Sequence, residues 1–228
     1  MTSVAGPALA AGMFSVVPVR IYMTPRERAV AVTVVNEGDS PMVLQAEINT
    51  WKQKPDGTDE QVATTDLVLS PPIIRLAPKG RQVVRLARVS PADLSQQLTY
   101  RLIIREVPEL TAPKDPAIAI PISLALSMPV FITPPTAKNQ VTCEAARGME
   151  GTVQVSCANN GTAYAQVREV LVRRSNQLMG RLEGGFYILP GAKKALSVKP
   201  LQPVVAGPAE LAVTFDDGKS QTFPVIIP

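Results

Sequence analysis

Few side chains in this 228-residue chain are equipped for chemistry, and the most suggestive are carboxylates in close pairs. Asp216 and Asp217, in TFDDG, could act as general acid and base if both faced a cleft and one were held protonated. Followed at once by Gly218, they read better as the tip of a hairpin. Asp56, Asp59 and Glu60, in KPDGTDE, could open a calcium loop, but the regular ladder of oxygen ligands is missing and Asp-Gly is a common hairpin turn. The chain holds no histidine, which removes the commonest general base and the nucleophile pairs built on it. No G-x-S-x-G nucleophile signature is present either. Two thiols without histidine make a poor zinc site. No catalytic residue, metal or cofactor is therefore expected.

The two cysteines, Cys143 and Cys157, lie in VTCEAARGMEGTVQVSC, each within a short alternating segment with ARGMEG as a turn between them. Two such strands bring the sulfurs into bridging range, and an exported chain would form the bond. In a reducing compartment the same spacing leaves a pair of buried thiols. The net charge is +4, and the 23 basic residues are spread along the chain without interleaved aromatics, which argues against a nucleic-acid surface. The opening MTSVAGPALAAG ends in an Ala-x-Ala-like site without a basic leader region; residues 1–12 read as the remnant of a secretory signal or as a disordered extension. A membrane helix needs ~20 apolar residues, and the longest candidate run is broken by Pro116, Pro121 and Pro129. No membrane insertion is expected.

The elements that would carry these residues are short strands. RAVAVTVVNEGDSPMVLQAEINTW reads as a hairpin, with Val30, Val32 and Val34 on one face of the first strand and Met42, Leu44, Ala46 and Ile48 on one face of the second. RQVVRLARV and TYRLIIREV continue the pattern, and only SPADLSQQ could hold a brief helical turn. After the consecutive Pro134 and Pro135 the same grammar restarts. This predicts an all-β chain of two sandwich domains of immunoglobulin-like size, residues 13–134 and 135–228.

One strand does not fit an ordinary sandwich. In IAIPISLALSMPVF, Ile118, Ile120, Ile122, Leu124, Leu126 and Met128 alternate with Ala, Pro or Ser, and no residue carries a charge. Strands usually run about 5–6 residues, and exposed edges are normally short or charged so that they do not pair with other chains. This stretch is either the inner face of a sandwich strand or an edge that invites pairing.

Taken together, FSVVPVRIYM, VTVVN, Trp51, SPPIIRLAPKGRQVVRL, YRLIIREVPE, VFITPP and FDDG resemble the periplasmic chaperones of chaperone-usher pilus assembly. The Pro18-Val19-Arg20 segment, the Trp51 strand and SMPVF look most like the archaic or alternative branch. The resemblance implies two immunoglobulin-like β-sandwich domains in an L or boomerang arrangement. It also implies a periplasmic location, with pilus or surface-fibre subunits and an outer-membrane usher as partners. Ile118, Ile120, Ile122, Leu124, Leu126 and Met128 would be lent to an incomplete subunit as its missing strand. Self-association through the same edge is a further expectation.

In such chaperones an Arg on the first strand and a Lys on the donor strand hold the subunit's terminal carboxylate. Arg20 matches the Arg, but the Lys position falls on Pro129, so the resemblance points to Arg85 or Arg101 as a substitute. Arg101 and Arg105 share one strand face. Glu106 and Asp216 match acidic positions that orient the two domains, while the arginine that would join them falls on Thr133. The alternative reading is a secreted immunoglobulin-like binding module or adhesin, for which no incomplete subunit would be needed.

Overall fold

The computed structural model describes residues 13–89, 95–107, 123–175, 177–203 and 205–228. Apart from a single 3-10 turn, Met149–Gly151, all regular structure among the described residues is β-strand. The strands are β1 (Phe14–Val17), β2 (Ile21–Met23), β3 (Ala29–Asn36), β4 (Met42–Gln53), β5 (Asp59–Ala63), β6 (Leu67–Ser70), β7 (Ile73–Leu76), β8 (Arg81–Arg88), β9 (Leu98–Glu106) and β10 (Ala125–Ile132). They continue as β11 (Val141–Arg147), β12 (Val153–Asn159), β13 (Ala165–Arg174), β14 (Gln177–Ile188), β15 (Lys193–Val198), β16 (Gly207–Phe215) and β17 (Ser220–Ile227).

Four sheets result. The first runs β1-β3-β8-β6; the second runs β2-β10-β9-β4-β5, with β7 also on β4. The others run β11-β12-β15 and β14-β13-β16-β17. The described residues gather into two compact units, one within Met1–Thr50, Gln61–Ala92 and Tyr100–Phe131, the other within Trp51–Glu60, Asp93–Thr99 and Ile132–Pro228.

In each unit alternate residues turn inward, as a half-buried sheet requires. Val32, Val34, Leu44, Val84, Leu86, Leu102 and Ile104 are fully buried in the first, and Val155, Val167, Val170, Val172, Leu211 and Val213 in the second. The expected inner face of β4 is there, with Met42, Leu44, Ala46 and Ile48 all buried. The expected hairpin is not: β3 pairs with β1 and β8, whereas β4 pairs with β7 and β9, so the turn at 37–41 carries the chain from one sheet to the other. Two apolar faces that meet across a core have the same period as two that share an edge.

Asp56-Gly57 does form a hairpin turn. Gly57 adopts φ 82°, and the Thr58 N–H donates to Asp56 Oδ1 at 2.9 Å. Hydrogen bonding from the Thr58 side chain, and then from its N–H, holds the Asp56 carboxyl below its ordinary range, so the group acts as a turn-former. The segment 51–60 joins the second unit through Trp51, whose ring meets Tyr187 edge-on at 5.2 Å, and through Gln53. The Gln53 amide donates to Tyr187 O and accepts from the Leu189 N–H, both at 2.9 Å.

The two units repeat one device. Asn36 and Asn159, both fully buried at strand ends, each donate through Nδ2 to the carbonyl four residues on (Ser40 and Ala163, 2.8 Å). Each also accepts through Oδ1 from the N–H two residues on (Gly38 at 2.9 Å, Gly161 at 3.0 Å). Asn36 Nδ2 additionally reaches Ala77 O at 3.0 Å. Asn36→Ala leaves these part-buried backbone groups without a side-chain partner and is expected to cost about 2 kcal/mol. Urea unfolding of the variant against the parent chain measures it.

Candidate functional site: an unfinished strand and its flanking cations

β10 lies between β2 and β9. Its start is fixed by the Glu106 N–H donating to Leu124 O and by Ser123 Oγ donating to Glu106 O, both at 2.9 Å. This sets Glu106 opposite Leu124, and the even-numbered residues of β9 and β10 share the face that looks into the sandwich. Along that face Ile132 and Val130 are fully buried, Met128 is 4% exposed, Leu126 is half-buried and Leu124 is 37% exposed. A row that begins in the core therefore runs out of it, still apolar. Met128 already belongs to the unit's own core. Ile118, Ile120 and Ile122 lie outside the described residues.

Among the described residues the backbone edge is open as well as the side-chain face. β2 has three residues and β10 has eight, so β2 covers less than half of β10. Among the described residues no other strand pairs on that side. Tyr22, exposed between buried Ile21 and Met23, stacks on Phe131 at 5.7 Å and marks the outer face of this sheet.

The candidate cations divide by sheet. Arg20 immediately precedes β2 and is half-buried. Arg101 is half-buried on β9, on the outer face because Tyr100 and Leu102 point inward. Counted from the Glu106–Leu124 pair, Arg101 stands level with Pro129 of β10. Arg20 thus enters the strand on one side of β10, and Arg101 lies on the strand that pairs with its other side. Arg85 does not join them: it is exposed on the outer face of the other sheet, between Ala31 of β3 and Ser70 of β6. Arg105, on the same face as Arg101, is ion-paired with Glu47.

Of the two acidic residues, Glu106 closes β9 beside Ser123 and Leu124, with its Oε2 buried and no hydrogen-bond partner for that atom among the described residues. Asp216 accepts from the Tyr164 hydroxyl at 3.1 Å. Asp217 accepts from the Lys219 N–H at 3.0 Å and pairs with Lys219 Nζ at 2.9 Å. These partners hold the Asp217 carboxyl below its ordinary range, the reverse of what a general acid needs. Sequence reasoning missed Gln97, which is 4% exposed and bonds to Thr133, Thr162 and Tyr164. Cys143 and Cys157 face each other in the β11–β12 register and are bonded.

The family profile for the pili and flagellar-assembly chaperone, PapD N-terminal domain, matches residues 13–138. The chain belongs to this chaperone family. Solved structures agree with the fold of the chaperone over both units. The chaperone–tip subunit pre-assembly complex CsuC–CsuE, from the archaic chaperone-usher Csu pili of Acinetobacter baumannii, matches with a TM-score of 0.69 at 17% identity, covering 95% of this chain and 99% of that one. The CupB2 chaperone of Pseudomonas aeruginosa matches with a TM-score of 0.55 at 21% identity, covering 92% and 97%. The Salmonella enterica SafA pilin complex with the SafB chaperone gives 0.61 at 16% identity, covering 96% and 97%. No curated protein matches in sequence. The immunoglobulin-like chaperone fold is thereby established for this chain.

Proposed function

We propose that this chaperone works in the periplasm, completes an incomplete pilus or surface-fibre subunit by lending it the strand that ends in β10, and passes the subunit to an outer-membrane usher. The observation that carries the reading is the row Met128, Leu126, Leu124, which emerges from the core with rising exposure beside an open backbone edge. Strand addition to an edge is a recurring recognition mode, with chaperone–pilin complexes among its known cases. Backbone pairing supplies affinity without reading sequence, and each large apolar side chain buried in a groove adds ~1.5–3 kcal/mol before ordering costs. Ile118, Ile120 and Ile122 extend the donor row upstream. The activity is binding, with no chemical step. The Cys143–Cys157 bond suits an oxidising compartment.

In this reading Arg20 and Arg101 grip the subunit's terminal carboxylate from either side of β10, with Arg101 supplying the cation that Pro129 cannot. A desolvated carboxylate needs such charge-assisted partners. Arg101→Gln and Arg20→Gln are each expected to weaken subunit binding roughly 10- to 100-fold, the loss of one hydrogen bond to a charged group. Arg85→Gln should leave affinity unchanged. Titration calorimetry with a purified subunit separates the three. A loss confined to Arg85→Gln would relocate the anchor to the other sheet.

A further inference from the structure

Five large apolar side chains stand exposed in the second unit among the described residues, Met149, Leu178, Leu201, Val205 and Ile226, and all five lie at one end of it. Met149 is on the turn between β11 and β12, and Leu178 lies at the start of β14, just after its turn from β13. Val153, which starts β12, pairs with Val198, which ends β15, so the stretch after β15 begins at the same end. That stretch carries Leu201 and Val205 and is fastened to the start of β14: Gly180 bridges Pro200, and the Leu201 N–H donates to Met179 O at 2.7 Å. Pro208 of β16 pairs with Ile226 of β17. Arg174, closing β13, ties them in by donating through Nε to Pro208 O at 3.1 Å and through Nη2 to Val205 O at 2.6 Å. Four separate parts of the chain therefore bring apolar tips to one end, and the opposite end shows none among the described residues.

The strand ends and turns at this end carry Arg147, Arg173, Arg174 and Lys199 against Glu150 and Glu210, four cations to two acids, a side-chain balance of +2. Backbone groups beside the apolar tips are already paired inside the unit. Met149 O accepts from the Thr152 N–H at 3.1 Å and from its hydroxyl at 2.8 Å, while Val205 O is held by Arg174. These turns can therefore leave water on their outer side without stranding those carbonyls.

We propose that this end of the second unit rests on an anionic lipid surface, with the apolar tips in the interfacial layer and the basic side chains against the headgroups. Contact of this kind strengthens with the apolar area buried and with attraction between basic residues and anionic lipid. A stable protein interface, by contrast, takes about 20–30 residues a side, far more than these tips supply. The contact lies on the membrane without crossing it: no helix among the described residues is long and apolar enough to span one. Its place in the cell rests on the periplasmic location proposed above; the contact itself does not, and it makes no use of the lent strand.

Co-sedimentation with vesicles of phosphatidylethanolamine and phosphatidylglycerol, and with vesicles of phosphatidylcholine alone, tests it without any subunit present. At low salt the full chain should pellet with the first and stay in solution with the second, and added salt should release it. Leu201→Asp and Ile226→Asp should each lower partition onto the anionic vesicles about tenfold or more. Lys199→Gln should lower it about fivefold. Leu201 is 66% exposed and Ile226 73%, so both aspartate variants should melt like the parent. Leu124→Glu, which charges the lent strand instead, should pellet like the parent. A parent chain that ignores anionic vesicles would overturn the proposal, as would equal pelleting of Leu201→Asp. So would a loss confined to Leu124→Glu, which would put the contact on the edge of β10. A chain that doubles its mass in light scattering, and no longer does so as Leu201→Asp, would assign this end to a second copy and overturn it too.

Discussion

Leu124→Glu is expected to abolish subunit capture while the chaperone folds as before. Leu124 is 37% exposed in the free chain, so a carboxylate there can turn to water, at the modest cost of standing opposite Glu106. Once the strand is added to a subunit, the same carboxylate is forced into an apolar groove without a partner. Removing an unpaired charge from water costs several kcal/mol, and the burial of the leucine side chain is forgone as well, so affinity should fall by roughly a thousandfold or more. Met128→Glu is the contrasting control: Met128 is 4% exposed, and a charge there should unfold the first unit instead. Circular dichroism melts and co-purification of both variants with a subunit read the two effects separately. A Leu124→Glu chain that binds like the parent would show that the groove is filled by other residues.

The second large effect concerns stability. Cys143 and Cys157 close a loop with a sequence separation of 14, on neighbouring strands of the three-stranded sheet. Constraining the unfolded chain over a loop of that length contributes about 3 kcal/mol. For a unit of roughly a hundred residues this corresponds to a fall in melting temperature of roughly 10–20 °C. The double variant Cys143→Ala, Cys157→Ala should show that fall by calorimetry, and reductant should move the parent chain toward it while leaving the variant unchanged. Equal melting temperatures for parent and variant would mean that the bond constrains nothing the sheet does not already hold.

How far these features could be read from sequence depended on whether the signal was local. The inner face of β4 follows from period-2 alternation, and the Cys143–Cys157 pairing from two alternating segments around a turn; both recur in the structure. The supposed hairpin of β3 and β4 failed because alternation records which face is apolar and says nothing about which strand lies alongside. The same limit left Arg85 and Arg101 equivalent in sequence. Both sit at outward positions of alternating strands, and only the sheet order puts Arg101 beside β10 and Arg85 on the other sheet. Gln97 gave no signal at all. It lies in the polar run SPADLSQQ, and its burial comes from Thr133, Thr162 and Tyr164, between 36 and 67 residues away in sequence. Leu124 is the instructive middle case: its alternation was plain, but whether its face was covered could be learned only from the packed unit.

The central claim is that this chain binds an incomplete fibre subunit as one strand completing another protein's sheet. It is tested most directly by co-expressing the chaperone in a bacterial periplasm with a fibre subunit encoded beside it and weighing the purified species by chromatography with light scattering. A one-to-one complex whose mass is the sum of the two chains is the predicted result. A chaperone that elutes alone or paired only with itself, with the subunit found aggregated or degraded, would contradict it.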